Sequence, residues 1–302
     1  MRLIIIILTA IVLFLSVGKK QILEPKLPEV RESEFDNFNL SSYPVKTGVE
    51  NPPEISAEAF IVAEAKSGVI LYEKNAGEKL RPASTTKLMT ALVALDYFNP
   101  NDTLAVKRLV NNTDESEMGL KVGDRLTVKN LLYGLLIPSG NDAAYTLADN
   151  YPGGIEQFIY AMNEKAKKLH MYNTHFDNPG GMDSNNLYTT ARDLLALAKV
   201  TTDDKLISEV IRTNWTDLTD VTGTKHYYLQ NVNQLLASYP GVLGIKTGYT
   251  LEAGECLVAA AKRNGITIIS VILKSDDRFR ETGELLNWAF DNFQSTPPSM
   301  LD

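Results

Sequence analysis

Arg81-Pro82-Ala83-Ser84-Thr85-Thr86-Lys87-Leu88-Met89-Thr90-Ala91-Leu92-Val93-Ala94-Leu95 is the stretch on which the reading of this 302-residue chain turns. Pro82 and Ser84 are residue types that start helices. The apolar run from Leu88 to Leu95 predicts a helix buried over most of its circumference. Ser84 and Lys87 are three apart, so on a helix they share a face. A hydroxyl then lies beside an amine at the positive end of the helix dipole, which can activate a serine without histidine. Alone, Ser-x-x-Lys needs only two common residues, and a helix cap followed by a solvated lysine is the better explanation. Two later stretches decide between these readings.

Composition narrows the field first. The chain is 44% hydrophobic and 22% charged, enough for one large domain or two smaller ones. A net charge of −7 gives no electrostatic case for nucleic acid or an anionic membrane surface. The single cysteine, Cys256, excludes an intramolecular disulfide and a thiolate metal cluster, and reads as buried and structural. His170, His175 and His226 show no ligand spacing. No Gly-x-Ser-x-Gly elbow is present to serve a Ser-His-Asp hydrolase. These residues indicate no metal site.

On the N-terminal side, residues 3–17 are apolar except for Thr9 and Ser16, with Arg2 before and Lys19 and Lys20 after. This run is slightly short for a spanning helix and suits the apolar region of an export signal, cleaved or retained as an anchor. Residues 1–18 are therefore expected as signal or anchor, with the remainder outside the cytoplasm. Residues 19–56, with prolines at 25, 28, 44, 52 and 53, predict an extended flexible linker. A globular part is expected over 57–294, with a tail over 295–302.

Within it, residues 59–65 and 69–72 predict a β-hairpin around Lys66-Ser67-Gly68. Helices are predicted over 128–137, 142–150, 155–169, 190–201 and 279–293. Residues 242–249 predict an edge strand, and 256–262 with 266–273 a hairpin across Asn264-Gly265. The sum is an α/β (α+β) domain: a mainly antiparallel sheet with helices on both faces, and a helical subdomain inserted between early and late strands. The site is expected in the cleft between them.

Ser84-x-x-Lys87, Ser139-x-Asn141 and Lys246-Thr247-Gly248 follow in that order. With their flanks, Ile137-Pro138-Ser139-Gly140-Asn141-Asp142 and Gly244-Ile245-Lys246-Thr247-Gly248-Tyr249-Thr250, and with Asn178-Pro179-Gly180-Gly181 and Thr190-Ala191-Arg192-Asp193-Leu194, the chain resembles the serine D-alanyl-D-alanine carboxypeptidases, the low-molecular-weight penicillin-binding proteins. Lys46-Thr47-Gly48 repeats the third pattern ahead of the nucleophile, in the linker. Ser184-Asn185-Asn186 repeats the second without flanking helices. Both are set aside.

The resemblance implies the β-lactamase and penicillin-binding-protein transpeptidase fold and a serine acyl-enzyme. The stem pentapeptide of peptidoglycan would be the substrate, with β-lactams as inhibitors, and no metal or organic cofactor would be required. Ser84 would be the nucleophile. Burial and a second cation, Lys246, would lower the pKa of Lys87 so that it accepts the proton. Ser139 would relay protons and Asn141 orient the base and substrate. Lys246 and Thr247 suit a terminal carboxylate, and Gly248 lets a ligand backbone lie along the strand edge. The backbone N–H groups of Ser84 and Tyr249 would hold the oxyanion.

Two features depart from relatives. Gly140 stands where class A β-lactamases carry Asp. The C-terminal β-rich domain and amphipathic anchor of many carboxypeptidases are not seen, so membrane attachment is expected through the N-terminus. Gly180 and Gly181 are expected to serve a loop, and Arg192 and Asp193 to form an ion pair at a helix start. A penicillin-binding sensor module, a β-lactamase and an endopeptidase are the alternatives.

Overall fold

The computed structural model describes residues 43–109 and 116–296, all within one unit, Ser41–Asp302. The apolar run at 3–17 and the start of the expected linker lie outside the described residues. No helix among the described residues is long and apolar enough to cross a membrane.

In chain order the early elements are β1 (Tyr43–Lys46), β2 (Ala59–Glu64), β3 (Ile70–Lys74), a 3-10 turn (Ala83–Thr86) and α1 (Lys87–Tyr97). Then come β4 (Thr103–Ala105), β5 (Arg125–Thr127), α2 (Val128–Leu136), α3 (Asn141–Asn150), α4 (Gly154–Lys168), α5 (Ala191–Asp203) and α6 (Lys205–Ile211). The chain closes with β6 (Trp215–Thr219), β7 (His226–Gln230), α7 (Leu235–Ser238), β8 (Val242–Thr250), β9 (Gly254–Arg263), β10 (Ile266–Ser275), α8 (Arg278–Asn292) and β11 (Phe293–Thr296).

Five strands form one antiparallel sheet in the order β3-β2-β10-β9-β8, leaving β8 at an edge. Its central strands read as near-continuous apolar runs because both faces are covered. Phe60, Val62, Leu257, Ala259, Ile268 and Ile272 pack with Leu285, Leu286 and Ala289 of α8. The alternate residues Ile61, Val258, Ala260, Ile269 and Val271 face a second, larger core with Leu194, Leu197 and Ala198 of α5. That core continues through α1, α2 and α3. Each fully buried Leu or Ile contributes about 1.5–3 kcal/mol, so the two cores clamp the sheet from both sides.

The expected helical insertion is present, and its helix starts are legible. The Thr127 side chain accepts from Asn130 N at the start of α2, and Thr190 accepts from Asp193 N at the start of α5. Where the sequence predicts helices alone, two ribbons, β4–β5 and β6–β7, also occur. The strands of β4–β5 are too short for a period-2 signal, whereas β7 alternates fully and carries a strand signal that the helical expectation passes over.

The linker and tail boundaries shift. Tyr43–Lys46 pairs antiparallel with Phe293–Thr296, so the last part of the predicted linker and the first residues of the predicted tail belong to the fold. Lys46 of this repeat is the last residue of β1, although the sequence places the repeat in the linker. Thr47 N and Gly48 N donate to Asn292 O at the end of α8, which accounts for this repeat of the third pattern without a catalytic role.

Candidate active site

The nucleophile candidate sits on a backbone kink. Ala83 has φ +47°, Ser84 falls in the 3-10 turn, and α1 begins only at Lys87. Ser84 is thus not the cap of a regular helix as its sequence suggested. The i, i+3 relation to Lys87 survives because a 3-10 turn eclipses residues three apart. Lys87 is fully buried, its Nζ 2.7 Å from Ser84 Oγ and 2.6 Å from Gly180 O.

Pro138 ends α2, and Ser139 takes φ +67°, a strained conformation for a residue with a Cβ. Lys246 Nζ donates to Ser139 Oγ at 2.8 Å and to Thr247 O at 3.0 Å. Asn141 opens α3 and faces the glycine loop, for a Cβ on Gly180 would lie 2.8 Å from Asn141 Oδ1. Gly140 has an ordinary φ of −60°, so space rather than dihedral explains it. A Cβ there would meet Asp142 Oδ1 at 2.7 Å and Gly134 O at 2.8 Å. Asp142 accepts from Met118 N, Gly119 N, Leu120 N and Ala143 N, so the carboxylate that an Asp at 140 would crowd is already holding the segment 118–120 against the start of α3.

Lys246 is buried on β8, and its pKa is held well below the ordinary lysine value. Burial is the main cause, followed by the charge of Lys87 and then that of Arg278. The two lysines of the first and third patterns therefore sense each other. Gly248 also serves a close approach within the fold. A Cβ there would lie 3.0 Å from Pro82 O and 3.1 Å from Ser84 N, so the glycine lets β8 press against the nucleophile turn.

These segments line one cleft of about 730 Å³, which includes Ser84, Ser139, Asn141, Thr247, Gly248 and Tyr249. Lys87 and Lys246 sit behind it through their bonds to Ser84 and Ser139. Every residue singled out in the three patterns is thus brought to one place. Ser184, of the discarded second copy, donates to Asp177 within its own loop.

Three contributors escape the sequence patterns. Gly180 and Gly181 line the cleft, and Gly180 supplies the carbonyl that holds Lys87. Asn178 Oδ1 accepts from Gly180 N, Gly181 N and Met182 N, and Thr90 Oγ1 donates to Pro179 O, so the loop is pinned to α1. The motif Asn178-Pro179-Gly180-Gly181 carried that signal. Arg278, at the start of α8, also lines the cleft. Its Nη1 donates to Gly248 O at 2.8 Å, while its buried Nε finds no partner among the described residues. No nearby pattern marks it in the sequence.

The expected Arg192–Asp193 pair does not form. Arg192 reaches Glu73 at 2.7 Å, and Asp193 accepts from Asn173 N and Thr174 Oγ1. Residues adjacent on a helix point apart, which explains the difference. Cys256 is buried as expected, its thiol pushed up to about 11 chiefly by burial. The three histidines each hold a local hydrogen bond, to Tyr172, to Asn186 O and to Asp217. No group of metal ligands occurs among the described residues.

A sequence profile of the D-alanyl-D-alanine carboxypeptidase family, peptidase S11, matches residues 46–277. D-alanyl-D-alanine carboxypeptidase DacF of Bacillus subtilis is 34% identical over 80% of this chain and 64% of its own length. DacC of Escherichia coli is 38% identical over 83% of this chain and 65% of its own length. The chain thus spans slightly less than two thirds of these two relatives. The carboxypeptidase of Streptomyces sp. K15 is 37% identical, and 88% of it is covered. The crystal structure of the Streptomyces K15 DD-transpeptidase superposes with a TM-score of 0.76 at 35% identity, covering 80% of this chain and 99% of that one.

Proposed function

The chain belongs to the peptidase S11 family of D-alanyl-D-alanine carboxypeptidases, and on that premise we propose that it removes the terminal D-alanine from peptidoglycan stem peptides through an ester on Ser84. The observation that carries the reading is the buried Lys87 amine 2.7 Å from the Ser84 hydroxyl at a cleft that also holds the Ser139–Lys246 pair.

The chemistry follows from proton positions. Neutral Lys87 takes the Ser84 proton as Oγ attacks the carbonyl carbon of the penultimate D-alanine. The backbone N–H groups of Ser84 and Tyr249 hold the oxyanion. The C–N bond then breaks, and the leaving nitrogen takes a proton passed from Lys87 through Ser139 Oγ. Water then attacks the ester: Lys87 takes one of its protons and passes it to Ser84 Oγ as the C–O bond breaks, while the water oxygen enters the new carboxylate and its second proton goes to solvent. Asn141 orients Lys87 and the substrate amide.

Burial and the charges of Lys87 and Arg278 all work against charge on Lys246. A substrate carboxylate beside Thr247, Lys246 and Arg278 offsets this and favours charge on Lys246, which leaves Lys87 as the base at the moment of attack. Arg278, which lines the cleft, adds a planar guanidinium donor for that carboxylate. The free edge of β8 offers main-chain pairing to an extended peptide. β-Lactams, carrying an amide and a carboxylate in the same relation, acylate Ser84.

The family and the apolar run at 3–17 together support export and action in the cell envelope, with that run as signal or anchor. The catalytic unit is then the folded region from Tyr43 to Thr296. The likeness to a DD-transpeptidase, the Streptomyces K15 protein, favours a second outcome for the same ester, transfer to an amine instead of water. The test is incubation of the purified protein with a D-Ala-D-Ala-terminated peptide. D-alanine is released by the wild type and not by Ser84→Ala; no release, or release unchanged in the variant, overturns the reading. An added amine acceptor reveals any transfer product.

A further inference from the structure

The β6–β7 ribbon presents two unlike faces. Its inner face is core: Tyr227 and Leu229 are buried, and Tyr227 OH donates to Asp124. Its outer face places Trp215 opposite Gln230, Asp217 opposite Tyr228 and Thr219 opposite His226. A solvated ribbon face ordinarily carries polar residues, yet Trp215 is 70% exposed and Tyr228 78%. His226 stacks on Tyr228 with the rings 17° from parallel, and its Nδ1 bonds Asp217 at 3.0 Å. The face is therefore two aromatic surfaces set among hydrogen-bonding groups.

The ribbon also has a direction. Residues 226, 228 and 230 alternate outward, and two positions further Val232 is exposed and lines the catalytic cleft. Val232 N donates to Ile137 O, two residues before Ser139, and Asn231 N closes the ribbon base on Asn214 O. From Val232 to Tyr228 is about 13 Å at roughly 3.3 Å per residue. The outer face is thus continuous with the cleft.

We propose that this face is a subsite for the glycan of the substrate, binding an N-acetylated sugar unit to which the stem peptide is attached. Trp215 and Tyr228 stack on the apolar faces of the pyranose rings. Asp217, His226, Thr219 and Gln230 bond the hydroxyl and acetamido groups. The mixture of carboxylate, imidazole and amide matches an uncharged, hydroxyl-rich polymer better than a lipid surface, where Trp and Tyr also gather. This subsite rests on the carboxypeptidase reading and adds that the enzyme prefers glycan-linked stems to free peptides.

The test compares full-length wild type with Trp215→Ala/Tyr228→Ala on two substrates. One is a free D-Ala-D-Ala tripeptide, the other the same stem on an oligomer of N-acetylglucosamine and N-acetylmuramic acid. The double variant keeps kcat/KM on the tripeptide within about twofold and raises KM for the glycan-linked stem roughly tenfold, the worth of two aromatic contacts. Trp215→Phe/Tyr228→Phe restores most of that loss. An unchanged KM, or a parallel loss on both substrates, overturns the subsite. So does sedimentation with lipid vesicles that only the wild type shows. If the wild type hydrolyses neither substrate, the carboxypeptidase reading fails by itself. Quenching of Trp215 fluorescence by the peptide-free oligomer then still supports the subsite, and its absence refutes it.

Discussion

Gly181→Ala tests how the loop from α4 to α5 sets the nucleophile. Gly181 has φ +85°, and a Cβ there would lie 1.9 Å from Ala83 O and 3.0 Å from Ser84 N. A side chain in that backbone region costs about 1–2 kcal/mol. The clash is with backbone, which has no flexible end to swing away, and overpacking of this kind costs roughly a further 1–3 kcal/mol. Relief requires Ala83 to move by about 1 Å, and a shift of that size at a reacting atom costs on the order of a hundredfold in rate. The control is Gly68→Ala, at φ +72° with nothing within 4 Å of the added Cβ. Thermal unfolding and the rate of labelling by a fluorescent penicillin read the two effects. Gly181→Ala should lower Tm by roughly 5–15 °C and labelling by about a hundredfold. Gly68→Ala should lower Tm by only a few degrees, about 1–2 kcal/mol, with labelling unchanged. Wild-type labelling by Gly181→Ala, with a Tm loss no larger than the control's, refutes the coupling of loop to nucleophile.

Other substitutions probe charge. Arg278→Gln should lower kcat/KM for the peptide by roughly tenfold to a hundredfold, as expected for a lost charge-assisted bond, and by much less for a substrate amidated at its C-terminus; equal losses would exclude a carboxylate contact. Lys246→Met should reduce turnover by about a hundredfold or more while altering the pH dependence of stability. The pKa of Lys246 is depressed in the fold, so between that value and the ordinary lysine value of 10.5 the unfolded chain binds more protons. Wild-type stability contributed by this group is fully present above the unfolded value and is lost as pH falls through the folded one. Lys246→Met removes that slope, so its Tm should exceed the wild type's most at the low end of the window, as differential scanning calorimetry across pH would read. Asp142→Asn, which turns an amide NH2 towards backbone N–H groups of residues 118–120, should lower stability by about 1–3 kcal/mol, measured by denaturant unfolding.

The sheet and most helices were legible because their signals are local. The run at 266–273 is apolar, β-branched and bounded by Asn264-Gly265, and it forms β10. The helices predicted over 128–137 and 190–201 form α2 and α5, each opened by a threonine cap. The pairing of β1 with β11 was not legible, because four-residue strands at opposite ends of a chain carry no pattern that names a partner. At the site, every residue of the three patterns came together, yet the patterns omitted what holds those residues. Gly180 contributes only a carbonyl, which any residue type possesses, and its identity matters only through Asn141 packed on it. Arg278 is one of five charged residues between positions 276 and 281 at a helix start, and only the fold separates it from Arg280, which pairs with Glu284 in solvent. Gly140 illustrates the converse. Its departure from the β-lactamase pattern was visible, while its reason, the crowded carboxylate of Asp142, needed the structure.

The most direct measurement is intact-protein mass spectrometry after exposure to benzylpenicillin, followed by peptide mapping of the adduct. A single adduct on the peptide containing Ser84, absent in Ser84→Ala and slowed in Lys87→Met, is the predicted result. An unmodified wild-type protein, or an adduct mapped to any other residue, would contradict it.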